Sequence, residues 1–322
     1  MTNKTLINND MKLIFIGDLH GQVKKLDILL EHLKFNDNIS QSIPSNTKLV
    51  FIGDLIDNEP NANTDHVRLL TKVKKLIDTG LAYCLMGNHE FNAIGWATKH
   101  AQTQQWLRPH TDNNKKQHQG FLDDVIEGSD VHLYWVNWFK SLPLYLDFGG
   151  VRAIHACWKE TKIKQLEEYI NSDSQLNKEC WQQAFDKSDP LYFLVETLLK
   201  GPEIKLPHGS SFKDKTGTIR TQIRSKWWLA LAETYRDIAQ VQAEVVNNIP
   251  NIKLPNEQTP EQLSHPVIVG HYTLGDVPNL LSYNVACVDY NAAKGENPLV
   301  AYYWQGEEGL TETNFVYSNK VT

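Results

Sequence analysis

At 322 residues, with 41% hydrophobic and 22% charged side chains, the chain is long enough to bury a large core unaided, as one domain with insertions or as two domains. Thirty-two basic residues against thirty-eight acidic ones leave a mild negative balance, which argues against a general nucleic-acid binder or an anionic-membrane binder, local patches aside. No run reaches the ~18 apolar residues of a membrane helix, Met1 to Asp10 is polar with no signal-peptide core, and Cys84, Cys157, Cys180 and Cys287 show neither paired metal spacing nor a disulfide pattern. Buried reduced thiols and a cytoplasmic location are therefore expected, with the periplasm as the alternative if a signal was removed.

Leu13 to Ile16 is a short apolar run, read as a strand, and Gly17-Asp18-Leu19-His20-Gly21 follows it. A carboxylate and an imidazole thus stand two residues apart on a glycine-flanked turn. Val23, Leu26, Leu29, Leu30 and Leu33 recur at helical spacing, which predicts a helix covering one sheet face. Asn36 to Asn46 reads as a loop. Lys48 to Ile52 is the second strand and runs into Gly53-Asp54-Leu55-Ile56-Asp57; Gly53 permits a sharp turn that delivers Asp54 at the strand's C-terminal edge, where crevices open in α/β sheets. One carboxylate can bridge two cations, so Asp54 is the expected centre of a two-metal site. Thr64 to Thr79 repeats the helical pattern up to Gly80, and Leu81 to Leu85 is a third strand, followed by Gly87-Asn88-His89-Glu90. This alternation predicts a doubly wound α/β beginning.

Residues 98–120 shift to Gln, Asn, His and Lys and are expected to form a surface insertion, with His100, His110 and His118 solvated. Phe121 to Phe139 is expected to be helical, with Trp135, Trp138 and Phe139 in the core. Leu144 to Phe148 and Val151 to Ile154 form a hairpin around Gly149-Gly150, with His155 next; Arg152 lies three residues before His155, so the two side chains point to opposite faces. Residues 175–259 are expected to be a mostly helical lid, with helix around Leu191 to Leu199 and Trp227 to Val246 flanking a Gly/Ser/Lys loop, Gly209 to Gly217. Strands return at Val267 to Val269, Ser282 to Val288 and Leu299 to Trp304; His271 follows the first of them, and Ala293-Lys294-Gly295 sits in a turn. Residues 11–174 and 260–322 would then form the catalytic domain.

Five strand ends therefore offer Asp, His, Asn or carboxylate, a donor set suited to Mn, Fe or Zn rather than to a thiolate site. The ordered set Gly-Asp-x-His-Gly, Gly-Asp-x-x-Asp, Gly-Asn-His-Glu, His, Gly-His resembles the calcineurin-like metallophosphoesterase superfamily from Met11 to about Trp304. Gly270-His271-Tyr272-Thr273 lacks the second histidine of the Gly-His-x-His form, which makes the phosphoprotein phosphatase branch the nearer likeness. Gly87 to Ile94, His155-Ala-Cys-Trp158 and Cys287-Val-Asp-Tyr290 are similar to the bacterial cold-active protein-tyrosine phosphatase type.

The resemblance implies an α/β fold of the α+β sandwich type, with two central mixed β-sheets flanked by helices in four layers. It implies two divalent metal ions, one held by Asp18, His20 and Asp54 and the other by Asp54, Asn88, His155 and His271, with a bridging hydroxide attacking phosphorus directly. His89 would protonate the leaving group with Asp57 orienting its ring, and Glu90 would support the site without ligating. The branch usually places a phosphate-gripping arginine after Gly-Asp-x-x-Asp, where this chain has Asn58. Arg220 and Arg224, at helical spacing in the expected lid, are the candidates to replace it, against an ordinary solvated face. Cys157 is not expected to be a nucleophile, because Trp158-Lys159-Glu160-Thr161 is no arginine-bearing phosphate loop. The expected activity is that of a phosphomonoesterase on a phosphorylated protein, at tyrosine or serine/threonine, or on a small aryl phosphate, with no membrane partner. The same metal core would serve a nucleotide or dinucleoside-polyphosphate hydrolase or a polynucleotide end phosphatase. A non-catalytic scaffold would predict decay of the ligand set, and the set is intact.

Overall fold

The computed structural model describes residues 11–35, 46–57, 64–214, 217–275 and 277–318; the loop read over 36–46 falls almost wholly outside them, as does Asn58. The first half of the chain supplies β1 (Lys12–Ile16), α1 (Val23–His32), β2 (Thr47–Phe51), α2 (His66–Asp78), β3 (Ala82–Cys84), α3 (Asn88–Ala97), α4 (Asp112–Val125), α5 (Asp130–Phe139), β4 (Tyr145–Asp147) and β5 (Arg152–Ile154). There follow α6 (Glu160–Leu166), α7 (Trp181–Phe185), α8 (Pro190–Lys200), β6 (Glu203–Lys205), β7 (Phe212–Lys213), β8 (Ile219–Arg220), β9 (Gln222–Arg224), α9 (Tyr235–Ile238) and α10 (Ala243–Val246). The chain closes with β10 (Val267–Val269), β11 (Leu280–Ser282), β12 (Val285–Cys287), β13 (Val300–Trp304) and β14 (Phe315–Tyr317).

Two five-stranded mixed sheets form the centre, ordered β14-β13-β1-β2-β3 and β11-β12-β10-β5-β4. Their strands are apolar on both faces, and the period of two divides each one between two cores. Leu13 and Phe15 of β1, Val50 of β2 and Ile268 of β10 fill the layer between the sheets with Leu146, Ala153 and Tyr302. Ile14, Ile16, Leu49, Phe51, Val267 and Val269 face outward and lie under helical residues such as Leu26, Leu70 and Leu198. The fold is thus the expected sandwich of two mixed sheets flanked by helices. Among the described residues no helix is long and apolar enough to cross a membrane.

Four expectations need correction. Residues 98–120 are not all surface: α4 starts at Asp112, and His118 on it is fully buried. Phe121 to Phe139 is broken into α4 and α5 by a turn, because Ile126 and Gly128 adopt positive φ. Ser282 to Val288 is not one strand, since the chain turns at Tyr283-Asn284 and β11 pairs antiparallel with β12. Residues 175–259 are not mostly helical: 227–232 form turns, α9 and α10 are single turns, and two antiparallel ribbons, β6/β9 and β7/β8, occupy the middle.

Candidate active site

β1, β2 and β3 are mutually parallel, as are β5, β10 and β12 in the other sheet, so the loops carrying the expected ligands leave each sheet at the C-terminal ends of its strands. The turns are tight. His20, Asp54, Asp57 and His271 all have left-handed backbone, with φ of 43°, 51°, 71° and 69°. Each such residue stores about 1 to 3 kcal/mol, which persists only where the surroundings hold it.

The hydrogen bonds here do so. Leu19 N and His20 N both donate to Asp54 O at 3.0 Å, and the buried Glu90 carboxylate accepts from the backbone N–H of Asp54 (2.9 Å), Leu55 (2.8 Å), Ile56 (3.3 Å) and Gly87 (2.9 Å). Glu90 therefore clamps the loop after β2 to the first turn of α3. Two glycines admit the carboxylates: a Cβ on Gly87 would stand 2.2 Å from Asp54 Oδ1, and one on Gly270 would stand 2.2 Å from Asp18 Oδ1.

Each histidine is oriented by one ring nitrogen. His20 Nδ1 donates to Ile56 O at 2.8 Å and His155 Nδ1 to Ile52 O at 2.7 Å, which fixes both rings and leaves Nε2 of each as the nitrogen available to the site. His155 Nε2 lies 3.1 Å from Asn88 Oδ1 and 3.3 Å from Asp54 Oδ2, and His271 Nδ1 lies 2.7 Å from Asn88 Oδ1. Ligand atoms of Asp54, His155 and His271 fall within 4.8 Å of one another, and so do those of His20, Asp54 and His89. The Asp18 carboxylate accepts from His271 N at 3.1 Å.

Two features fit this pocket to cations. His271 Nε2 is buried with no hydrogen-bond partner. Burial, reinforced by Asp289 and Asp54, pushes the Asp18 carboxyl well above the usual carboxylate range, and burial together with His155 pulls the His271 imidazole down to about 3. Converging carboxylates and imidazoles, with an amide oxygen between them, are a divalent-metal donor set.

Beside them stands a dyad with a third member. His89 Nδ1 lies 2.7 Å from Asp57 Oδ2, while His118 Nδ1 lies 2.6 Å from Asp57 Oδ1. Burial opposes a charge on His89, but Asp54 and Asp57 outweigh it and raise the imidazole to about 9. Burial would likewise raise Asp57, yet His118 and His89 hold it far below its ordinary value. His118 had a sequence signal: with Phe121, Leu122 and Val125 it follows the buried stripe of α4. So had Asp289, which follows an apolar strand as the other acids do and accepts from Thr273 N at 2.6 Å.

The two arginine candidates part company. Arg224, on β9, lines a cleft of about 650 Å³ together with His20, Asn88, His89 and His271. Arg220, on β8, is exposed, pairs with Asp214 at 2.8 Å and does not line that cleft; the expected helix is two short strands of separate ribbons. Arg108, from the polar stretch before α4, lines the cleft instead. Arg152 points away from His155, bonding Asp147 at 3.1 Å with its guanidinium 4.6 Å over Trp158. The Cys157 thiol is fully buried and pushed up by that burial, which makes a poor thiolate.

Residues 11–221 match the family model described as calcineurin-like phosphoesterase. Among curated relatives, an asymmetrical bis(5'-nucleosyl)-tetraphosphatase from Oceanobacillus iheyensis is 35% identical over 80 residues, which is 24% of this chain and 30% of that enzyme. A symmetrical bis(5'-nucleosyl)-tetraphosphatase from Ralstonia nicotianae is 26% identical over 44% of this chain and 40% of its own length, so the chain spans well under half of either relative. A solved protein serine/threonine phosphatase from Saccharomyces cerevisiae superposes with TM-score 0.51 at 14% identity, covering 98% of this chain and 82% of that one. A cold-active protein tyrosine phosphatase superposes with TM-score 0.50 at 18% identity, covering 97% and 83%; both likenesses are of fold.

Proposed function

The chain belongs to the calcineurin-like phosphoesterase family, a family of metal-dependent hydrolases, and from that premise we propose that it is a phosphomonoesterase acting on alkyl or aryl phosphates, those of a phosphoprotein included. Two divalent cations (Mn, Fe or Zn), held by Asp18, His20 and Asp54 and by Asp54, Asn88, His155 and His271, would supply charge to the phosphate oxygens and make a water acidic enough to attack. Arg224 reaches the same cleft and would bind phosphate oxygens. Residues of 175–259, including Phe185, Tyr192 and Arg224, form part of the cleft wall, which supports the reading of that segment as a cap. Buried free cysteines suit a reducing compartment.

The observation that carries the proposal is the His89–Asp57 pair. Asp57 fixes Nδ1 at 2.7 Å, so Nε2 is the nitrogen left to serve the cleft, and the ring keeps 23% exposure there. A poor leaving group such as an alkoxide needs a proton as the bond to phosphorus breaks; a good one, such as nitrophenolate, does not. His89→Asn should therefore lower kcat by about 100-fold or more on an alkyl phosphate or phosphoserine peptide and far less on para-nitrophenyl phosphate. An equal loss on both substrates, with metal content unchanged, would remove His89 from proton transfer.

A second reading has its own support. Arg108, Lys116, Lys187 and Arg224 line the cleft, as does Lys200 paired with Glu196, which leaves a mainly cationic wall suited to a chain of phosphates. A dinucleoside polyphosphate preferred strongly over phosphopeptides by the metal-loaded protein would establish that reading in place of the first.

A further inference from the structure

We infer that Arg108 is a phosphate-binding residue of the cleft, supplying a guanidinium from the segment before α4. The inference rests on the phosphoesterase reading of the site. Arg108 lines the same cleft as His89, Asn92 and Arg224, and it is only 9% exposed. Its backbone N–H donates to Gly95 O at 3.0 Å, which pins the segment against α3. Nη2 donates to Gln117 Oε1 at 2.9 Å and to Asn114 Oδ1 at 3.3 Å, both on α4. Asn114 is itself held: its side-chain amide donates to Pro109 O at 2.8 Å and its backbone N–H to Thr111 Oγ1 at 3.2 Å.

The guanidinium is therefore held by neutral amides rather than by an ion pair, with Asp57 close enough to favour its charge without bonding it. Nη1 is buried and has no acceptor, and among the described residues no carboxylate pairs with Arg108. Elsewhere the protein pairs Arg68 with Asp27, Arg152 with Asp147 and Arg220 with Asp214. The nearby Asp57 carboxylate already serves His89 and His118 with one oxygen each. A buried, preset cation with an unused donor at the wall of a catalytic cleft is suited to an anionic ligand, and a planar fork matches two phosphate oxygens. α4 serves two purposes at adjacent positions: Gln117 aims the arginine and His118 secures Asp57.

The test is calorimetric titration of inorganic phosphate into the metal-loaded wild type, Arg108→Gln and Arg108→Lys, with metal content and Tm measured on each. Arg108→Gln should bind phosphate about 10- to 100-fold more weakly at unchanged metal content, and Arg108→Lys, which keeps the charge but not the fork, should fall between. Should Arg108→Gln fail to fold, Arg108→Lys alone should still weaken phosphate binding by about fivefold or more. Affinity within about twofold of wild type in the folded variants, or no phosphate binding by the wild type, would overturn the assignment. A wild type that hydrolyses no ester yet loses phosphate affinity with Arg108 would defeat the proposed function and leave the arginine's role standing. Full esterase activity with unchanged phosphate affinity would do the reverse.

Discussion

Asp57 is the residue on which the arrangement around His89 turns, because both of its oxygens are taken: one by the ring that faces the cleft, the other by His118 behind it. His118→Ala leaves a fully buried carboxylate with one partner, and breaking a buried pair from one side costs about 3 to 5 kcal/mol. Urea denaturation should register a loss of that size, and kcat should fall because His89 loses a firmly held partner. Unchanged stability would mean that Asp57 does not depend on His118. Glu90→Gln tests the neighbouring clamp. The variant keeps the size but offers one acceptor oxygen to backbone donors at Asp54, Leu55, Ile56 and Gly87, so a loss of about 2 kcal/mol and weaker metal retention are expected, read from Tm and metal content after dialysis. The expected metal ligands were legible because each follows an apolar strand within a few residues, so sequence order alone puts them at sheet ends. Arg108 was not, and the helical spacing of His118 with Phe121, Leu122 and Val125 was masked, because both sit in a Gln/Asn/Lys-rich stretch whose composition reads as solvent-facing. Their burial comes from packing against the loop after β2 and against α3, a tertiary fact.

At the scale of elements, strands with both faces buried were plain in the sequence and segments held by side-chain contacts were not. Val267 to Val269 came out to the residue because an unbroken β-branched run has few other uses. Residues 227–232, rich in helix formers, form turns instead, since Trp227 Nε1 is drawn to Ala156 O (3.1 Å) and Tyr272 Oη (2.8 Å), and Lys226 N donates to Ile238 O at 2.7 Å. Helix α1 shows a related economy. Lys25 is buried, and its ammonium donates to the carbonyls of Ala292, Gly295 and Asn297 at 2.7, 2.8 and 2.8 Å, tying the helix to the loop after β12. Lys25→Met keeps the stem and strands three acceptors, so Tm should fall by an amount equivalent to about 2 kcal/mol, with faster amide exchange confined to the loop at 291–298. Exchange spreading evenly through both sheets would show that Lys25 supports the core rather than that loop.

Across the whole molecule, the site is where polar side chains fasten together two sheets that otherwise meet through an apolar layer. Asp18, His20, Asp54 and Asn88 follow strands of one sheet, His155 and His271 follow strands of the other, and the seam is stitched by His155 Nδ1 to Ile52 O at 2.7 Å and His271 N to Asp18 Oδ2 at 3.1 Å. The same seam gathers the buried carboxylates of Asp18, Asp54, Glu90 and Asp289, whose mutual repulsion works against folding unless positive charge joins them. Cations gripped from both sides would thus bind the folded chain and have no comparable site in the unfolded one, so they must stabilise it, by about 2.7 kcal/mol at a free concentration 100 times Kd. Chelation should therefore lower Tm as well as abolish hydrolysis, and Tm should climb again as Mn²⁺ is added back. His271→Ala removes a donor from the second sheet only and should flatten that climb while leaving the chelated protein's Tm nearly where it was. A Tm indifferent to both chelator and Mn²⁺ would mean that the seam holds without metal and that the convergence of these six residues serves something other than cation binding.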